Sequence, residues 1–112
     1  MRLEILLVAD DEAAARKLSA TLQRLGHRVT ASTTIAGTIE TLMRRGLSLD
    51  AIITSTRFDS SLGEDAIQYS RKFAANAQVI VLHPIAGNAE DLERALARHS
   101  LPDRLQTMRG WN

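Results

Sequence analysis

Cysteine is absent from the sequence. This excludes a disulfide framework, a thiolate zinc site and a thiol nucleophile, and it fits a cytoplasmic protein stabilised by its core. No charge of one sign dominates: 14 lysines and arginines face 13 aspartates and glutamates, for a formal net charge of +1. Residues 1–56 hold seven basic and six acidic groups and residues 57–112 seven of each, so no basic stripe marks a surface for direct nucleic-acid binding. Long apolar runs are also missing. The two longest, residues 5–9 and 79–82, fall far below the ~20 residues that cross a bilayer, so no membrane association is expected. The first of them runs straight into Asp10-Asp11-Glu12 rather than a signal-cleavage site, which makes the amino terminus part of the fold. No repeat or low-complexity linker divides the 112 residues, a length that suits a single domain.

What is present is a regular alternation. Leu3, Ile5, Leu6, Leu7 and Val8 form an apolar segment too short for a typical helix and suited to a strand buried on both faces of a parallel sheet. Residues 13–25 carry Leu18, Leu22 and Leu25 at helical spacing, with Gly26 where a left-handed residue ends helices. Residues 28–31 predict a second strand. Ser32 to Thr34 then supply hydroxyls that start a helix whose apolar face is Ile35, Ile39, Leu42 and Met43, ending at Gly46. Residues 51–54 predict a third strand, 55–63 a loop, and 64–74 a helix with Ile67, Ser70 and Ala74 on one side. Residues 79–82 predict a fourth strand. A helix capped by Asn88 follows, with Leu92, Ala95 and Leu96 inward, and then a weaker fifth strand at 104–108 beyond Pro102. Right-handed crossovers place such helices on both faces of one parallel sheet. Ligands then bind beyond the carboxyl ends of the strands, where the strand order reverses.

Those ends carry L-L-V-A-D-D-E at 6–12, D-A-I-I-T-S at 50–55 with Gly63 eight residues on, and V-I-V-L-H at 79–83. In order and spacing the chain resembles the receiver domain of two-component response regulators over nearly its whole length. The resemblance implies an α/β, flavodoxin-like, doubly wound parallel sheet of five strands in the order 2-1-3-4-5. It also implies a site made of an acidic pair for Mg²⁺, a phosphorylated aspartate, a Ser/Thr and a lysine. Carried over, the acidic pair falls on Asp10 and Asp11, the phosphoacceptor on Ser55, the Ser/Thr on His83, and the lysine on Thr107 or, one residue out of register, on Met108. Only the acidic pair matches. The Met-Pro expected after the acceptor is Phe58-Asp59, and no counterpart of the last helix follows residues 104–108.

The chemistry of these replacements is independent of the resemblance. Phosphoryl transfer needs a metal to neutralise charge on the equatorial oxygens, and Mg²⁺ wants several oxygen ligands with carboxylate charge. Ser55 removes one carboxylate and the nucleophile together. A serine hydroxyl needs an activating base, and its phosphate ester lacks the transfer potential of an acyl phosphate. The expectation is a pseudo-receiver: a non-enzymatic signalling module with no catalytic residue, cofactor or tight metal site, acting through a protein partner or output domain. Asp10 and Asp11 either retain weak cation binding or cap the first helix. Arg57 either neutralises that pair in place of the metal or stays solvated.

Two other readings stay open. A switch could sense a small anion or pH at a pocket of Ser55 and His83. A Ser55-His83-Asp hydrolase is the remote case, since Thr54-Ser55-Thr56 lacks the glycines of a nucleophile elbow. Arg44-Arg45 and Arg71-Lys72 complement helix ends, and His27 and His99 read as ordinary surface residues. Residues 1–112 are expected to form one domain, the amino-terminal piece of a longer signalling protein. With the last helix missing, apolar side chains of strands one, three and five should lie bare. That predicts a two-fold homodimer through Arg104, Leu105, Met108 and Trp111.

Overall fold

The computed structural model describes residues 2–56 and 61–82. Its centre is the strand β1, Glu4–Ala9, buried from Ile5 onward. β1 pairs in parallel on one side with β2, Arg28–Ser32, and on the other with β3, Ala51–Ser55; β3 in turn pairs in parallel with β4, Gln78–Leu82. The order β2-β1-β3-β4 reproduces the first four positions of the expected doubly wound sheet. Helix four and the fifth strand, residues 104–108, fall outside the described residues.

Alternation along the strands divides the apolar residues into two cores. Ile5, Leu7, Ala51, Ile53, Ile80 and Leu82 join Leu18 and Leu22 of α1, Glu12–Arg24, on one face of the sheet. On the other face Leu6, Val8 and Ile52 meet Leu42 of α2, Ile35–Arg45, and Leu62 and Ala66 of α3, Ser61–Phe73. A short 3-10 helix, Gly46–Ser48, links α2 to β3. Each fully buried leucine or isoleucine in these layers contributes roughly 1.5–3 kcal/mol. The side chains of β1 and β3 that face α1 are at most 1% exposed, so the expected bare patch is not found on those two strands; the interface expected at strand five lies outside the described residues.

Two helices depart from expectation, α2 in which residues face inward and α3 in where it begins. In α2 the inward residues are Thr38 and Leu42, whereas Ile35 is 37% and Met43 63% exposed. Thr38 can be buried because its hydroxyl donates to the Thr34 carbonyl at 2.8 Å, with the Ser32 hydroxyl 3.0 Å away. Local hydrogen bonding thereby satisfies a polar group that periodicity alone would have turned outward. α3 begins at Ser61, three residues earlier than expected, with Leu62, Ala66 and Ser70 inward and Ile67 only half-buried. Burial of Leu62 outweighs the cost of roughly 1 kcal/mol for a helical glycine at Gly63. That glycine also has a steric role, since a Cβ there would collide with the Thr56 hydroxyl.

The end of α1 fixes one further residue. Gly26, at φ 94°, closes the helix, with its N–H donating to the Gln23 carbonyl and the His27 N–H to the Leu22 carbonyl. His27 is thereby brought beside the start of β1, where its Nδ1 accepts the Leu3 N–H at 3.1 Å. It is half-buried and not the plain surface residue expected. Burial pushes its pKa below the ordinary 6.5, and protonation would remove the acceptor.

Two predictions follow from this packing. A histidine whose pKa is lowered on folding contributes stability at pH above its unfolded value, and that contribution is lost as pH falls through the folded value. Unfolding free energy measured with urea should therefore drop on acidification below about pH 6.5, and His27→Gln should flatten the profile in that window; an unchanged slope would remove His27 as its source. Separately, Gly63→Ala should destabilise the protein by about 1 kcal/mol despite its better helix propensity. Adding Thr56→Ala should recover most of that loss in a double-mutant cycle, and additive effects would refute the collision.

Candidate functional site

Strand register brings the sequence-predicted residues to one edge. Ala9 stands opposite Ser55, and Ser55 opposite Leu82, so β1, β3 and β4 end at one level. The chain passes from β1 outward to β2 and then crosses to β3 on the far side of β1, which makes the gap between β1 and β3 the point of reversal. Asp10 and Asp11 follow β1 directly, and Thr56 follows Ser55. The structure thus brings together Asp10, Asp11 and Ser55. Arg57, His83, Thr107 and the interface candidates Arg104, Leu105, Met108 and Trp111 lie outside the described residues.

The acidic pair is divided in role. Asp11, with extended backbone at φ −140°, is the N-cap of α1, and its Oδ1 accepts the Ala14 N–H at 2.7 Å. Glu12 in the first turn adds charge of the sign favoured by the helix dipole. Asp10 is half-buried beside it. The cap reading therefore holds for Asp11.

Ser55 is the last residue of β3, only 5% exposed, and follows the fully enclosed Thr54. Thr56 turns out of the strand against the first turn of α3, where Gly63 receives it. Sequence reading missed that contact; its one signal was the glycine eight residues after Ser55, which reads equally as a loop residue. The edge is therefore hydroxylic where the resemblance places a carboxylate. For a divalent cation the donor set is two aspartates, one already accepting a helix N–H, and a neutral serine. Among the described residues no three His, Cys, Asp or Glu side chains converge as metal ligands. Such a set does not fit a tight Mg²⁺ site, which needs near-octahedral oxygen ligation with carboxylate charge.

An open parallel sheet of this order, with α1 on one face and α2 and α3 on the other, defines the flavodoxin-like class. Within that class the chain has the receiver fold. It superimposes on the receiver domain of the hybrid histidine kinase CckA with a TM-score of 0.76 at 15% identity, covering 88% of this chain and 99% of that one. A response regulator receiver protein from Sinorhizobium medicae gives 0.72 at 22% identity, with 92% and 97% covered. A receiver domain protein from Clostridium thermocellum gives 0.65 at 18% identity, with 87% and 76% covered. No protein-family model and no curated protein matches the chain. The fold is thus shared at identities too low to carry activity with it. No described helix is long and apolar enough to cross a membrane.

The role of Asp11 is testable by separating cap from charge. Asp11→Ala should cost about 1 kcal/mol of stability, while Asp11→Asn, which keeps an accepting oxygen, should cost only a few tenths. Equal losses in urea denaturation would instead assign the effect to the carboxylate charge.

Proposed function

We propose that this chain is a pseudo-receiver: a non-enzymatic signalling module that keeps the receiver fold, takes no aspartyl phosphate and acts through contacts with a partner protein or an output domain. The observation that supports it is Ser55 at the end of β3, level with Ala9 of β1, in the place the resemblance gives to the phosphoacceptor. A hydroxyl there cannot form an acyl phosphate, and in water it is a poor nucleophile without a base. The capping of α1 by Asp11 points the same way, because it gives one of the two aspartates a structural use that needs no metal. On this reading residues 1–112 are one domain, working in the cytoplasm and joined to its output covalently or by docking. A pocket of Ser55 and His83 that responds to anions or protons is the alternative, and chemical shifts at Ser55 under phosphate titration separate it from the main reading.

The test is intact-mass analysis after incubation with acetyl phosphate and Mg²⁺. The expected spectrum shows the unmodified mass only, and a stable phosphate adduct at Ser55 would overturn the reading. Ser55→Asp should also phosphorylate poorly. Restoring the acceptor does not restore the Ser/Thr and lysine that the resemblance calls for at His83 and Thr107.

A further inference from the structure

The opposite edge of the sheet, at the amino ends of the strands, holds a separate recess. Here α2 closes with Arg44 and Arg45 and passes into the 3-10 helix, while α3 closes with Arg71, Lys72 and Phe73. Between the two ends is a recess of about 420 Å³ lined by Met43, Arg44, Arg45, Leu47, Lys72 and Phe73 among others. Leu47 is 76% exposed and Met43 63%, the two largest values among the exposed large hydrophobic residues of the described part. Among the described residues, three cations line the recess and no carboxylate does.

Existing pairings leave much of that charge available. Arg45 is held by Glu4 at 3.0 Å, but Glu4 is shared with Arg28 at 3.2 Å. Arg44 approaches Glu40 at 3.6 Å with both side chains about two-thirds exposed, a geometry that contributes little in water. The Lys72 ammonium stands 5.6 Å from the centre of the Phe73 ring, with no carboxylate partner among the described residues. The carbonyl ends of α2 and α3 each bring about half a negative charge, which weighs against an acidic ligand. The positive charge set against them comes from Arg44, whose exposed pairing is weak, and from Lys72.

We propose that this recess docks an acidic peptide segment of a partner protein that carries an apolar anchor. The anchor enters beside Leu47, Met43 and Phe73, and the flanking carboxylates meet Arg44 and Lys72. The combination of a recess, exposed apolar side chains and adjoining cations favours an inserted side chain over a flat lipid surface. The inference builds on the reading of the chain as an interaction module but uses nothing of the chemistry at Ser55.

The experiment is an NMR titration of the isotopically labelled chain with three probes. These are a short peptide of leucine and glutamate, its counterpart with lysine in place of glutamate, and vesicles of phosphatidylcholine with phosphatidylglycerol. The acidic peptide should shift the amides of Leu47, Ser48 and Lys72, and its binding should weaken with added salt. Leu47→Ser and Lys72→Glu should each reduce its affinity by about tenfold. Both residues lie on the surface, and the amide spectra report whether each variant is folded. Equal binding of the lysine peptide, shifts confined to other regions, no binding of either peptide, or binding to the vesicles alone would each overturn the proposal. A chain that accepts phosphate at Ser55 yet binds the acidic peptide here would refute the pseudo-receiver reading and keep the docking site, while the reverse pattern would do the opposite.

Discussion

Two-sided burial of β1 is the constraint on which the other elements depend. Its side chains from Ile5 to Ala9 are all enclosed, and its backbone is bonded in parallel on both edges. A strand in that position cannot tolerate water on either face, so helices must cover both, and right-handed crossovers then decide which helix goes where. α1 covers Ile5 and Leu7, and α2 and α3 cover Leu6 and Val8. The strand's end is consequently fixed at the reversal point of the sheet, and Asp10 and Asp11 arrive there because they are the next residues in the chain.

The amino end of β1 is tied down by polar groups as well as by the buried Leu3. Glu4 bridges Arg28 of β2 and Arg45 of α2, and Arg45 also donates to the Thr30 hydroxyl. The Asp50 carboxylate accepts the Glu4 N–H at 2.8 Å, while the Asp50 N–H donates to the Glu4 carbonyl. Individually such partly exposed ion pairs contribute no more than about 1 kcal/mol. Their shared centre does more for geometry than for stability, because it sets where α2 ends relative to β1 and so shapes the recess beside Arg45.

How much of this could be read from sequence follows from the range of the interactions involved. β1 was legible because five consecutive apolar residues admit few alternatives, and the end of α1 because Gly26 announces it locally. The inner face of α2 was not, since Ile35 and Met43 look apolar while the residue that turns inward, Thr38, owes its burial to Ser32 and Thr34. The start of α3 was hidden behind Gly63, whose steric role depends on Thr56 just beyond the end of β3. His27 was misread for the same reason: its partner is a backbone N–H 24 residues away. At the site, spacing alone placed Asp10, Asp11 and Ser55 on one edge, and the strand register agrees. The division of labour within the acidic pair needed the coordinates, because nothing in two adjacent aspartates says which one caps.

Fold and site are separable at Ser55 for a physical reason. Its backbone completes the pairing of β3 with both neighbours, and that pairing is indifferent to the side chain. Its side chain, nearly enclosed, is not indifferent to charge: a carboxylate there would carry a desolvation cost of several kcal/mol unless a cation stood against it. A hydroxyl removes both the cost and the need for the cation. The same economy applies to Asp11, whose negative charge is stabilised by a helix N–H and dipole and needs no metal. Serine at the strand end and aspartate at the helix cap are therefore compatible with the fold on their own terms: the pairing of β3 and the start of α1 are both complete with no carboxylate enclosed at the end of β3.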